Sequence, residues 1–414
     1  LDTAPVPTPA KVAAALAGPL ADPALGAAAA YVVDATTGRV LLDRSGISAA
    51  SPASTAKILI AATALHVLGA SRRLHTSVAQ APNGDLVLVG GGDPTVTAAS
   101  AGGPYPVPAR LTDLATATAR ALRASSTAGS SAGGTTASPR PVSLLIDDSA
   151  FTGQELADGW SPADVTGGSV APVEGLEVDG GRYSPGVLPT SRTFTPALAS
   201  GAAFRSALVA AGVPVGAVRL GRVPAGSRPV AYVDSPPVSA LVERMLTTSD
   251  NDVAEALGRV SASASGRPAT FAGAVQTVQA TLDALGVAQP VRGMHDTSGL
   301  SRLDREAPAT IVGVLAAAAG SRHPELRPLL AALPVAGFTG TVAGRFHSPD
   351  SVAAAGVSRL KTGTLAGVGT LAGVVVDRSG RLLAFAVLAT PAGRSSGEEA
   401  LDRVAAALAR CGCS

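Results

Sequence analysis

Apolar positions along the chain switch between the two-residue period of strands and the 3.6-residue period of helices. Ala30 to Asp34 and Arg39 to Asp43 flank Thr37-Gly38, which predicts a β-hairpin at the start of the globular part. Ser51-Pro52-Ala53 breaks that pattern. From Ser54 the stretch Thr55 to Leu68 carries apolar residues at helical spacing and stops at Gly69. Between about residues 76 and 235 the character changes. Short alternating runs (Leu86 to Val89, Val142 to Ile146, Val230 to Val233) are separated by Gly, Pro and Ser, with a hairpin signal at Asn83-Gly84. Ala124 to Pro139 has no periodicity and reads as a mobile loop. Helical spacing returns at Val238 to Leu246, Asp252 to Val260, Ala272 to Leu285 and Ala309 to Ala318. Strands are expected at Ser358 to Thr362, Gly369 to Val376 and Arg381 to Ala389, and a closing helix from Glu398 to Arg410. The pattern parses as one α/β domain built from residues 1–75 and 236–414, with a β-rich domain, 76–235, inserted in it.

Composition narrows the function classes. With 414 residues, 46% of them hydrophobic and 15% charged, the chain reads as globular and long enough for two or three domains. Lys plus Arg is 32 against 30 for Asp plus Glu, so no broad basic face for nucleic acid is expected. The 7 Phe, 4 Tyr and 1 Trp are too few for base-stacking platforms. No apolar run reaches the ~18 residues of a membrane span; the Ala-rich opening is broken by Pro19, Asp22 and Pro23. Cys411 and Cys413 exclude a disulfide framework and a four-ligand zinc site, leaving a strained local bridge or two free thiols. The chain starts at Leu1 without a charged or apolar leader, so any export signal is expected to have been removed, and the Pro/Thr-rich start through Pro9 reads as a tether.

The basic residues are unevenly chosen. Only Lys11, Lys57 and Lys361 are lysine, and only Asn83 and Asn251 are asparagine. Arg stays charged, whereas a buried Lys shifts its pKa and can carry a proton. The three lysines are therefore the places to look for chemistry.

Several catalytic-looking patterns fail on context. Gly129-Ser130-Ser131-Ala132-Gly133 matches a nucleophile elbow but lies in the aperiodic tract, without the strand and helix that motif needs. Gly367-Val368-Gly369-Thr370-Leu371-Ala372 matches a dinucleotide fingerprint, yet a strand follows it, so no helix N-terminus would meet a pyrophosphate. Gly90-Gly91-Gly92-Asp93-Pro94 lacks the Gly-Lys-Ser/Thr of a phosphate cradle and reads as a turn. His295-Asp296 invites a Ser-His-Asp triad, but adjacent residues rarely both point at one site.

Ser-x-x-Lys occurs twice, at Ser54 to Lys57 and at Ser358 to Lys361. A Ser nucleophile needs a neighbour that accepts its proton. Positions three apart share one face of a helix, so Ser54 and Lys57 can meet. On a strand the same separation sends side chains to opposite faces, which rules out Ser358 with Lys361. A helix cap would be the ordinary role of Ser54 taken alone. Ser249-Asp250-Asn251 and Lys361-Thr362-Gly363 follow in order, and Ser-x-x-Lys, Ser-Asp-Asn, Lys-Thr-Gly are the three elements of the active-site serine penicillin-recognising enzymes.

On these residues the chain resembles the low-molecular-mass penicillin-binding proteins of the D-alanyl-D-alanine carboxypeptidase/D,D-endopeptidase type that carry a large insert. Gly90 to Thr95, Asp147-Asp148-Ser149-Ala150-Phe151 and His295 to Arg302 also match that family's pattern, with Thr297 where the family usually has Gly. The resemblance implies a β-lactamase/transpeptidase-like α/β domain, an antiparallel sheet flanked by helices plus a helical subdomain, with the β-rich insert. It implies acyl transfer without a cofactor or metal, on peptidoglycan stem peptides outside the cytoplasm, with β-lactams as covalent inhibitors. Ser54 would be the nucleophile, Lys57 its base and Ser249 the proton relay. Asn251 would hold the substrate amide, Lys361 and Thr362 the terminal carboxylate, and the amides of Ser54 and Thr364 the oxyanion. Gly363 would let the strand come close. In members that take a free diaminopimelate-type stem, an acid in the insert and an Arg hold the zwitterionic end; the positions expected here are Asp147 (or Asp148) and Arg302. The alternative is a β-lactam-acylated binding or sensor module of the same fold.

Overall fold

The computed structural model describes residues 4–101, 105–129, 141–187, 189–288, 293–391 and 393–412. Its strands are β1 (Ala28–Asp34), β2 (Val40–Arg44), β3 (His75–Gln80), β4 (Leu86–Val89), β5 (Val142–Asp147), β6 (Val215–Leu220), β7 (Arg228–Asp234), β8 (Ser358–Leu365), β9 (Val368–Val376) and β10 (Leu382–Ala389). The first helices are α1 (Pro9–Leu20), α2 (Lys57–Leu68), α3 (Leu111–Gly129), α4 (Pro162–Thr166) and α5 (Pro196–Ala210). Then come α6 (Val238–Thr248), α7 (Asn251–Ala264), α8 (Phe271–Ala284), α9 (Pro308–Ala319), α10 (Arg327–Ala332) and α11 (Arg394–Arg410).

Both ends of the chain build one sheet, in the order β2-β1-β10-β9-β8, with every neighbouring pair antiparallel. Helices cover both of its faces. Ala384, Ala386 and Leu388 join a core with α2 and α6 to α10, while Leu383, Phe385 and Val387 pack with residues of α1 and α11. Both alternating sets of β10 must then be apolar, which is why its sequence is a continuous apolar run. Lys57 to Leu65 are all buried, so α2 runs through the core.

The second sheet has the order β6-β5-β4-β3-β7. Its β4–β5 and β5–β6 pairs are parallel, and α3 and α5 supply the crossovers such pairs require. Leu114 and Ala115 of α3 and Phe204 and Leu208 of α5 pack with Leu86, Leu88, Leu144 and Ile146 in a separate core. The segment 76–235 therefore carries helices beside its strands. Ala124 to Gly129, expected in a loop, continue α3, because the buried stripe Leu111, Leu114, Ala115 and Ala119 fixes the helix upstream. The rest of that tract, including Ser130 and Ser131, lies outside the described residues. Pro9 opens α1 instead of ending a tether; Val12, Leu16 and Leu20 are spaced four apart and buried. Cys411, at the end of α11, is buried, and Cys413 lies outside the described residues. A small fourth cluster joins the two sheet systems, with Phe151, Ala157 and Val173 meeting Ala256, Ala269 and Phe271.

Candidate active site

Ser54 sits in a 3₁₀ turn, Ala53–Ala56, that leads directly into α2. Pro52 O holds the turn by accepting from Thr55 N (3.1 Å) and from Thr370 Oγ1 of β9 (3.0 Å). One turn on, Lys57 is completely buried. Its Nζ donates to Ser54 Oγ (3.1 Å), Asn251 Oδ1 (2.5 Å) and Ser298 O (2.7 Å). Burial pulls the pKa of Lys57 down to about 8 against the opposing pull of Asp296, Glu255, Asp250 and Asp252. An amine so poised, in contact with a hydroxyl, can accept its proton.

Ser249 ends α6 in the left-handed region, φ 59°, and Asp250 caps α7 by accepting from Val253 N (3.2 Å). This sharp reversal gives neighbouring side chains different partners. Ser249 Oγ accepts from Lys361 Nζ (3.0 Å), whereas Asn251 reaches Lys57 and donates from Nδ2 to Ser169 O (2.9 Å). Lys361, on β8, is also completely buried; burial and the charge of Lys57 push its pKa well below the usual value. Thr362 Oγ1 lies 2.9 Å from Thr341 Oγ1. A Cβ on Gly363 would collide with Thr370 Oγ1 and stand 2.8 Å from Ser54 N. Only glycine lets β8, the edge strand, lie against that amide. Thr364 follows on the strand and is exposed.

The loop from Asp296 to Arg302 closes the floor. Asp296 accepts from Gly299 N, Ser301 N and Trp160 Nε1, each at 2.7 Å. Gly299, at φ 77°, has no room for a Cβ beside Ala53 O. Thr297, where the resembling family has Gly, is buried, and its hydroxyl donates to Glu255 Oε2 (2.8 Å). Asp296 is thus fully engaged in the turn and His295 Nδ1 stands 4.0 Å from Asp158, which is not a triad.

The guanidinium of Arg302 is held by Asp164, with two parallel bonds of 3.0 Å. Asp147 is buried at the end of β5, where it accepts from Ser149 N (3.0 Å) in its own turn and from Val223 N (2.7 Å) beyond β6. Asp148 is half-buried, and burial, then the charges of Glu155 and Asp148, push the pKa of Glu174 up to about 7. The readable signal for Asp164 was Ser161-Pro162-Ala163-Asp164, a capping box, which gives the acid a structural reading and hides its second partner. Ser169 O, Thr341 and Glu255 had no local signal.

The other Ser-x-x-Lys lies on β8, as its spacing predicts, and Ser358 Oγ is buried without a hydrogen-bond partner among the described residues. A strand follows Gly367, and Gly90 to Pro94 form a turn region.

A serine bonded to a buried lysine, beside an edge strand of an antiparallel sheet covered by helices, is the architecture of the penicillin-binding proteins. The fold is similar to the crystal structure of penicillin binding protein 4 from Haemophilus influenzae, with a TM-score of 0.73 over 95% of this chain and 97% of that one, at 21% identity. The chain belongs to the D-Ala-D-Ala carboxypeptidase 3 (S13) family, whose model matches residues 12–195 and 187–411. It is 40% identical to a carboxypeptidase of Mycobacterium tuberculosis, covering 100% of this chain and 86% of the relative. A D-alanyl-D-alanine carboxypeptidase from Actinomadura sp. is 30% identical over 89% of this chain and 79% of its own length. The protein is a hydrolase of the serine-type D-Ala-D-Ala carboxypeptidase class.

Proposed function

We propose that the protein removes the terminal D-alanine from peptidoglycan stem peptides, or cleaves their D,D-cross-links, outside the cytoplasm, with Ser54 as nucleophile. The observation that carries the assignment is the 3.1 Å contact between Lys57 Nζ and Ser54 Oγ next to the close approach of Gly363 to Ser54 N. Ser54 Oγ attacks the penultimate D-alanine carbonyl while its proton passes to Lys57. The oxygen that becomes negative is met by the amides of Ser54 and Thr364, and such preorganised donors stabilise the transition state strongly. Ser249 relays a proton to the departing amine, which leaves Ser54 esterified until water regenerates it. Lys361 and Thr362 hold the terminal carboxylate, and Asn251 holds the substrate amide. Arg302, held in place by Asp164, and an acid of the insert, Asp147 or Asp148, take the zwitterionic end of a free stem.

A β-lactam acylates the same serine and stays, because its leaving group remains tethered; a complex of the Haemophilus influenzae protein with a β-lactam supports this. The sensor-module alternative is not favoured, since the relatives are named carboxypeptidases. No described helix is long and apolar enough to cross a membrane. Incubation with a stem pentapeptide should release D-alanine, and a cross-linked dimer assayed in parallel ranks the two activities. Release from neither, by protein that still binds penicillin covalently, would overturn the enzyme assignment in favour of the module.

A further inference from the structure

We infer that the inserted segment is a working part of the active site: Arg192, through Asp252, clamps the Ser169 to Ala171 backbone against the start of α7 and so fixes the side-chain amide of Asn251. This inference rests on the site assignment above and adds a role for the insert. Four contacts converge on one turn. Asn251 Nδ2 donates to Ser169 O (2.9 Å), which points its Oδ1 at Lys57. Asp252, the next residue, accepts from Ala171 N (2.8 Å) and from Arg192 (2.6 Å). Arg192 also donates to Gly168 O (3.1 Å) and to Gly180 O, so one guanidinium ties two insert loops to α7. Arg182, also from the insert, lies 3.5 Å from Asp250. The side chains of Arg192 and Asp252 are 4% and 1% exposed. Both members of the pair carry further hydrogen bonds, and setting register is the best-attested use of such buried pairs.

The Asn251 amide is oriented from both ends, by Lys57 at Oδ1 and by Ser169 O at Nδ2. An amide can flip end for end, and a flipped Asn251 would present Nδ2 to the Lys57 amine, donor against donor. The carbonyl of Ser169 adds to the Lys57 bond in opposing that flip, and Arg192, through Gly168 O and Asp252, holds the backbone on either side of Ser169.

The test is a double-mutant cycle on labelled-penicillin acylation and D-alanine release, with melting measured alongside. The clamp variant is Arg192→Met with Asp252→Asn, which removes the two paired charges together. In the parent background it should fold, melt lower, and acylate about tenfold to a hundredfold more slowly, the usual cost of a small misplacement. In an Asn251→Ala background the same clamp changes should alter acylation by less than about threefold while lowering the melting temperature as before. A purely structural clamp moves melting in both backgrounds and acylation of folded protein in neither. Acylation of the folded clamp variant within about threefold of the parent overturns the inference, and so does an equal fall in both backgrounds. If the clamp variant does not fold, Arg192→Lys, which keeps the charge and loses the fork, is judged by the same threshold in the same cycle. Ser54→Ala separates the two readings: persistent acylation there contradicts the site assignment itself, whatever the clamp does.

Discussion

Ser54-Thr55-Ala56-Lys57 and Ser358-Arg359-Leu360-Lys361 begin and end with the same residues, and both lysines are completely buried. In the helical copy the pair is in contact at 3.1 Å. In the strand copy Lys361 turns away from its own serine to Ser249 (3.0 Å), and Ser358 Oγ is buried without a partner among the described residues. Spacing becomes chemistry only through the period of the element that carries it. The two lysines also divide the work: one touches the hydroxyl beside the Gly363 strand, the other the hydroxyl in the α6–α7 reversal. Their mutual repulsion helps to keep Lys361 less basic than an ordinary lysine.

That contrast can be broken most severely at Ser54. Ser54→Ala should abolish penicillin acylation altogether, as read by loss of a labelled band in a protein that melts normally. Next comes Lys57→Arg. Arg cannot give up its proton, so acylation should fall at least about a hundredfold, the lower bound for losing a general base, with circular dichroism establishing that the variant is folded. The matching Lys11→Arg, in the first turn of α1 and far from the motifs in sequence, should leave the rate unchanged.

The same lysine sets a pH dependence. If Lys57 is the base, as proposed, its neutral form is the active one, and the parent's acylation rate should climb about tenfold per pH unit below pH 8 and level off above it. The stability sign follows from linkage. With the folded pKa near 8 and the ordinary value 10.5, the unfolded chain binds more protons between them, so this group's contribution to stability rises with pH across that window and is least favourable below it. A pH–rate profile and melting curves from pH 6 to 10 check both. Gly363→Ala is a smaller perturbation: the new methyl must push β8 off Ser54 N, and acylation should drop about tenfold with little change in the fold. The smallest effect belongs to Ser358→Ala, which should leave acylation within twofold and stability unchanged or slightly raised, because the lost hydroxyl has no partner.

The three motifs were legible because each is a local pattern whose element could be read from periodicity. The two-ended sheet was legible for the same reason, in the apolar runs of β9 and β10. What stayed hidden was the choice of distant partners. Arg302 meets an acid 138 positions away in the chain, and Asn251 a carbonyl 82 away, with nothing in the local sequence to mark either. Asp147 stands in a motif, and the structure adds that each of its carboxylate oxygens accepts from a backbone amide. α1, α3 and α5 are not evident from the sequence because Ala, Ser and Thr leave a weak periodic signal, and packing decides their fate.

The most direct measurement is to acylate the protein with a labelled penicillin, digest it and map the modified residue by mass spectrometry. The account predicts one adduct, on the peptide containing Ser54, and none on those containing Ser358 or Ser131. An adduct on either of those serines, with Ser54 unmodified, would contradict it.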